Sequence, residues 1–101
     1  MALYLLSYDI AEKNNDYQSL WDWLASEGAV RVLYSEWAVP WKNGSSALDL
    51  INTAATHVMK GDHLLACELF GGGPAIAWMN MRISTDDFRA LLNKYARTIS
   101  G

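Results

Sequence analysis

The sequence predicts an α+β domain in which helices pack onto an antiparallel sheet. Two observations carry this. Apolar, extended runs alternate with stretches of helical spacing in the order β-α-β-β-α-β. In addition, 51% of the 101 residues are apolar, enough to bury one core and too short a chain for two. The single cysteine, Cys67, excludes an internal disulfide, so that core must stand without a covalent staple, and it fits a reducing compartment.

Residues 2–10 read as the first strand, apolar on both faces and ending at Asp9. A polar stretch, 11–15, breaks it. Asp16 is a suitable helix N-cap, and Tyr17, Leu20, Trp21 and Leu24 then recur at helical spacing until Gly28 closes the helix. Residues 29–41, rich in Val, Tyr and Trp, read as two short strand segments with a bend near Tyr34-Ser35. Pro40 should end the second segment or confine it to an edge. Lys42-Asn43-Gly44 is a turn. Ser45 or Ser46 caps a second helix whose apolar stripe is Leu48, Ile51, Ala55, Val58 and Met59, and Gly61-Asp62 turns the chain into a buried strand over 63–70.

That order over residues 1–70 is a ferredoxin-like βαββαβ sandwich, with both helices on one face of an antiparallel sheet. Residues 71–101 form an extension of the same domain. Gly71-Gly72-Gly73-Pro74 reads as a hinge rather than a phosphate loop, because an extended segment and not a helix follows it. A fifth strand over 75–83 then leads to a helix capped by Ser84. Asp86 and Asp87 lie in its first turn, and Phe88, Leu91, Leu92 and Tyr95 form its stripe.

The strands are apolar on both sides: Leu3 and Leu5 oppose Tyr4 and Leu6, and Leu65 and Leu69 oppose Leu64 and Ala66. A sheet face without helices would expose a large apolar patch, which monomers rarely tolerate. The tail, a second copy of the chain, or both together can cover it, so a homodimer is expected. The N-terminal stretch has no basic segment or cleavage site, and no apolar run approaches the roughly 20 residues of a membrane helix. The expected location is the cytoplasm, with no membrane association.

Eight basic and eleven acidic residues give a net charge of −3, and the bases are scattered. Tight nucleic-acid binding usually needs clustered Lys and Arg, so the electrostatic footprint is weak.

The run Leu3-Tyr4-Leu5-Leu6-Ser7-Tyr8-Asp9-Ile10 resembles the first strand of the small CRISPR-associated nuclease family of spacer acquisition, which typically ends in Tyr-Asp-Ile or Tyr-Asp-Val. Gly28-Ala29-Val30-Arg31-Val32-Leu33-Tyr34-Ser35-Glu36-Trp37 resembles that family's Gly-x-x-Arg-Val-Gln-x-Ser-Val-Phe segment. Toxin-associated VapD-like proteins and stand-alone members of the superfamily share the layout. The resemblance covers roughly residues 1–70. It implies a homodimer in which Asp9 of each chain approaches the two-fold axis and the pair holds one Mg²⁺ for hydrolysis of RNA or DNA. Asp9 would be the metal ligand and, with Ser35, a catalytic residue; Ser7 and Tyr8 would support them. A hard divalent ion suits this role, since it takes one or two carboxylates plus substrate phosphate and activates a water. One departure stands out: where family members carry several bases after the Asp, this chain has Ala11-Glu12-Lys13-Asn14-Asn15-Asp16. The competing expectation is a non-catalytic dimer of the same fold that binds a protein partner through its aromatic surface.

Asp9 at a strand end is equally suited to turn or cap formation, and Ser35 to a bend. His57 lies near a helix C-terminus, where an imidazole suits the dipole, and His63 opens a strand; neither has a second His or Cys at ligand spacing. Cys67 reads as an inert core residue. The five tryptophans, at 21, 23, 37, 41 and 78, suit interface packing more simply than base stacking.

Overall fold

The computed structural model describes residues 1–9, 17–42, 46–71 and 76–98. Strand β1, Ala2–Asp9, leads to helix α1, Gln18–Ser26, and then to the hairpin of β2, Val30–Leu33, and β3, Glu36–Trp41. Helix α2, Ala47–Ala55, strand β4, His63–Gly71, helix α3, Thr85–Tyr95, and the two-residue strand β5, Arg97–Thr98, complete the chain. The five strands lie side by side in the order β2-β3-β1-β4-β5. All pairs are antiparallel except β4 with β5, which makes the sheet mixed.

The local chemistry accounts for most boundaries. Helix α1 closes in a Schellman motif: Gly28, at φ +78°, donates to the Ala25 carbonyl, and Ala29 donates back to Leu24. At its start α1 departs from the expectation: the N-cap position is Tyr17, with no side-chain cap bond, and not Asp16, which lies outside the described residues with the polar stretch before it, as do Asn43 to Ser45 and Gly72 to Pro74 of the expected turn and hinge. Ser46 caps α2 in a capping box, accepting from the Asp49 amide while the Asp49 carboxylate accepts from the Ser46 amide. Ser84 caps α3 in the expected way, accepting from the amide of Asp87.

The β2–β3 hairpin turns at Tyr34-Ser35. Neither residue takes the positive φ of the favoured two-residue hairpin turns. The mismatch is absorbed by a bulge, the register shifting by one residue between Arg31 and Leu33. Pro40, expected at a strand end or sheet edge, instead sits within β3, an inner strand, opposite Leu3. It is tolerated because the β2 ladder already ends where Val30 meets Ala38, so that side of Pro40 has no pairing to lose.

Alternation along β1 divides the core between two faces. Tyr4, Leu6 and Tyr8 point to the first face and pack with Leu20 and Leu24 of α1 and Leu50 and Ala54 of α2. Leu3 points to the second face and packs with Val32, Ala38 and Phe88, with Leu91, Leu92 and Tyr95 around them. The helix α2 stripe therefore differs from the expectation. Leu50 and Ala54 are the buried positions, whereas Leu48, Ala55 and Met59 are exposed. Two overlapping stripes have helical spacing there, and the one chosen is the one that faces the first-face core, with α2 lying against β4.

The tail departs further. The expected strand over 75–83 does not form in its described part, 76–83, which is irregular. Asn80 takes φ 54°, the left-handed conformation, and breaks the extended path. The inward side chains accordingly change parity, from Ile76 and Trp78 before it to Met81 and Ile83 after it. One ladder-like bond remains, from the Arg82 amide to the Val32 carbonyl at 2.8 Å. The fifth strand lies after α3 instead, pairing in parallel with Phe70 and Gly71. Bidentate contacts from Arg97 to Glu68, at 2.6 and 2.5 Å, fasten it. The Arg97 guanidinium holds the Glu68 carboxyl below the usual glutamate range, against the opposing effect of burial.

The second face is thus covered by the chain's own tail, but only in part. Toward the Asp9 end it stays open: His63, Leu65 and Cys67 of β4 alternate as exposed residues. The strand expected to be buried is half-exposed, and Cys67, expected in the core, is at the surface. Among the described residues no helix is long and apolar enough to cross a membrane.

Candidate functional site

The open end of the second face is built by the last residues of β1 and the first of β4. Antiparallel register sets Asp9 opposite His63, Tyr8 opposite Leu64 and Ser7 opposite Leu65. Directly opposed residues project to the same face with Cβ atoms about 5 Å apart, so the Asp9 carboxylate and the His63 imidazole leave the sheet as neighbours. Both are exposed. The six residues line a shallow depression of about 180 Å³. On the other side of β1, Ser7 is opposite Glu36, which adds a second carboxylate to this face.

The anticipated site residues fare differently. Asp9 is where a ligand of charged or metallic character can reach it. Ser35 is brought against β1, but through its backbone: its carbonyl accepts from the Tyr8 amide at 3.1 Å, and it does not line the Asp9 depression. Tyr8 points the other way, into the first face, where its hydroxyl accepts from the Trp21 indole N–H at 2.9 Å and donates to the Tyr34 carbonyl at 3.4 Å. Its ring stacks on Tyr17. It is a tie between β1, α1 and the hairpin turn. Ser7, half-exposed, stays beside Asp9 on the open face.

Arg31 belongs to the same tie. Its guanidinium donates twice to the Tyr34 carbonyl and lies 5.0 Å from the ring centres of both Trp21 and Tyr34. Arg89, Lys94 and Arg97 also sit over rings of their own chain, namely Trp78, Tyr95 and Phe70. These four cations are therefore placed against aromatic surface of their own chain.

Among the described residues no group of three or more His, Cys, Asp or Glu side chains converges on a metal position. Of the described residues, the Asp9 depression holds one carboxylate, that of Asp9, and one imidazole, that of His63, whereas a hard ion prefers several oxygen ligands. His57 lies elsewhere, stacked on Trp23 and 3.0 Å from the Ser19 hydroxyl through Nδ1. No carboxylate is bonded to that imidazole among the described residues. Sequence reasoning missed the pairing of His63 with Asp9 because it depends on register between strands more than 50 residues apart in the chain. The only available signal was that both lie at the ends of strands expected to be neighbours.

Scans of the chain against protein-family models, curated proteins and solved structures give no match.

Proposed function

We propose that the protein is a ferredoxin-like homodimer of the CRISPR-associated or VapD-like nuclease type, hydrolysing RNA or DNA with Mg²⁺. The observation that carries this reading is the exposed Asp9 at the end of a central strand, next to His63 and Ser7 on a sheet face left open. The sheet order β2-β3-β1-β4 with antiparallel pairing supports the ferredoxin-like assignment, because it places β1 and β3 centrally with α1 and α2 on one face. Exposure of Asp9 at the end of its strand is compatible with sharing: two copies related by a two-fold axis near Asp9 would bring two carboxylates to one ion. That ion would lower the pKa of a bound water and stabilise charge on the leaving oxygen. Within this reading His63 is the residue placed to take or give a proton near the phosphate, and Ser35 acts by holding the backbone of Tyr8.

Asp9→Asn keeps the shape and removes the charge, so metal-dependent cleavage of single-stranded RNA or duplex DNA should disappear while sedimentation behaviour is retained. Cleavage by Asp9→Asn protein at the wild-type rate, or cleavage that survives chelation, would reject the assignment.

A second reading, a non-catalytic dimer that binds a protein partner, is favoured by the net charge of −3 and by four cations lying over their own chain's rings. Wild-type protein that self-associates but cleaves neither nucleic acid with Mg²⁺ would select it.

A further inference from the structure

A second concavity lies between the sheet and the tail, separate from the Asp9 depression. It has a volume of about 190 Å³, and its walls include Leu5 and Leu69 from the sheet, Ile76 and Trp78 from the irregular segment, and Phe88 from α3. Trp78 and Phe88 meet edge to face at 4.7 Å and form a rigid end wall. The Trp78 indole N–H is already engaged by the Thr85 hydroxyl at 3.2 Å, so the tryptophan has no donor left for a ligand. A cavity of roughly 150 Å³ is enough for a benzene ring, so this one has room for a single ring with a short substituent.

One charged group breaks the apolar lining. Glu36 lines the cleft and is half-buried, and its carboxylate takes no hydrogen bond or ion pair among the described residues. A partly desolvated carboxylate of this kind is costly unless it is paired, and pairing across a low-dielectric wall is correspondingly favourable. The same chain handles its comparable carboxylate differently: Glu68 is closed off by Arg97 and Tyr4. An apolar pocket with one correctly placed polar group is the usual build of a small-molecule site.

We propose that this cleft binds a small organic cation, a primary amine carried on a single hydrophobic ring. The ring lies among Leu5, Leu69 and Phe88, and the ammonium pairs with Glu36. This inference rests on no part of the nuclease reading, and its test does not involve Asp9.

The test is a titration of the full-length ¹⁵N-labelled chain with 2-phenylethylamine, and with neutral 2-phenylethanol as a near-isostere. Saturable shifts are expected at the Trp78 indole N–H and at the amides of Leu5 and Glu36, with the amine binding about tenfold more tightly than the alcohol, as one charge-assisted contact provides. Glu36→Gln should abolish that preference and leave the alcohol affinity unchanged. Ile76→Phe, which fills the cleft, should weaken both ligands at least about tenfold; each variant's own spectrum reports that it is folded. The proposal is overturned by non-saturating shifts, by shifts mapping to the Asp9 end, or by an amine preference that persists in Glu36→Gln. It is also overturned if shifts at these sites track protein concentration alone, which would mean that a second copy occupies the cleft.

Discussion

Leu50→Ala is the sharpest test of how α2 meets the sheet. Leu50 is fully buried in the first-face core with Tyr4, Leu6, Leu20 and Leu24, whereas Leu48, two residues away, is 65% exposed. Removing a buried leucine side chain costs about 2–5 kcal/mol, as lost transfer energy plus an unfilled cavity. The surrounding cluster includes the rings of Tyr8, Tyr17, Trp37 and Trp41, which are too rigid to collapse well, so about 3–4 kcal/mol is the expected loss. For a domain of this size 1 kcal/mol corresponds to about 4–8 °C in Tm, so the midpoint should fall by about 12–32 °C. Leu48→Ala should stay within about 0.5 kcal/mol, as at an ordinary surface position. Thermal and urea melts followed by far-UV circular dichroism would measure both. Equal losses, or a larger loss at Leu48, would show that α2 presents a different face to the core.

Three further outcomes are expected. The indole N–H groups of Trp37 and Trp41 are buried without a partner among the described residues, so Trp41→Phe trades ring area against an unsatisfied donor worth about 1–3 kcal/mol. The net change should be within about 1 kcal/mol in chemical denaturation, and a loss above about 3 kcal/mol would mean that this N–H is bonded. Asn80→Ala should destabilise by about 1 kcal/mol and Asn80→Gly should not, because the left-handed backbone at φ 54° penalises a Cβ unless a short polar side chain supports it; equal effects in calorimetry would contradict that. Glu68 is more acidic in the folded chain than in the unfolded one, because Arg97 favours its charged form, so its contribution is present above the unfolded-state pKa and is lost as pH falls through the lower folded value. Glu68→Gln should therefore lower stability at neutral pH and lessen the loss on acidification, and a variant whose acid limb matches wild type would refute the role of this pair.

The candidate site divides along the same line as the fold. Asp9 at the end of β1 was legible because an apolar run that stops at a carboxylate is a local signal, and the Tyr34-Ser35 bend was legible for the same reason. What lies opposite Asp9 was not. His63 reaches the site only through the register of strands that are distant in sequence. Ser35 was located correctly at the bend, but whether its hydroxyl or its carbonyl faces β1 depends on how the bulged hairpin docks.

By itself the sequence determined the stripe of α1 with its Gly28 stop, the Ser84 cap, a serine cap for α2 at 45 or 46, the two segments of the hairpin and the apolar face of α3, because each depends on residues within one or two turns of each other. Tertiary packing decided the rest. In α2 two apolar stripes compete at nearly the same spacing, and only packing onto the first face of the sheet selects Leu50 over Leu48. The tail alternates like a strand, yet Asn80 turns it into a cover for the second face, and a strand of two residues, β5, exists only because the edge of β4 offers it a ladder and Glu68 an ion pair. That cover stops short of His63, Leu65 and Cys67, which is why a strand that reads as fully buried lies half in water: burial depends on which surface arrives opposite a side chain, and a side chain's own polarity does not specify that.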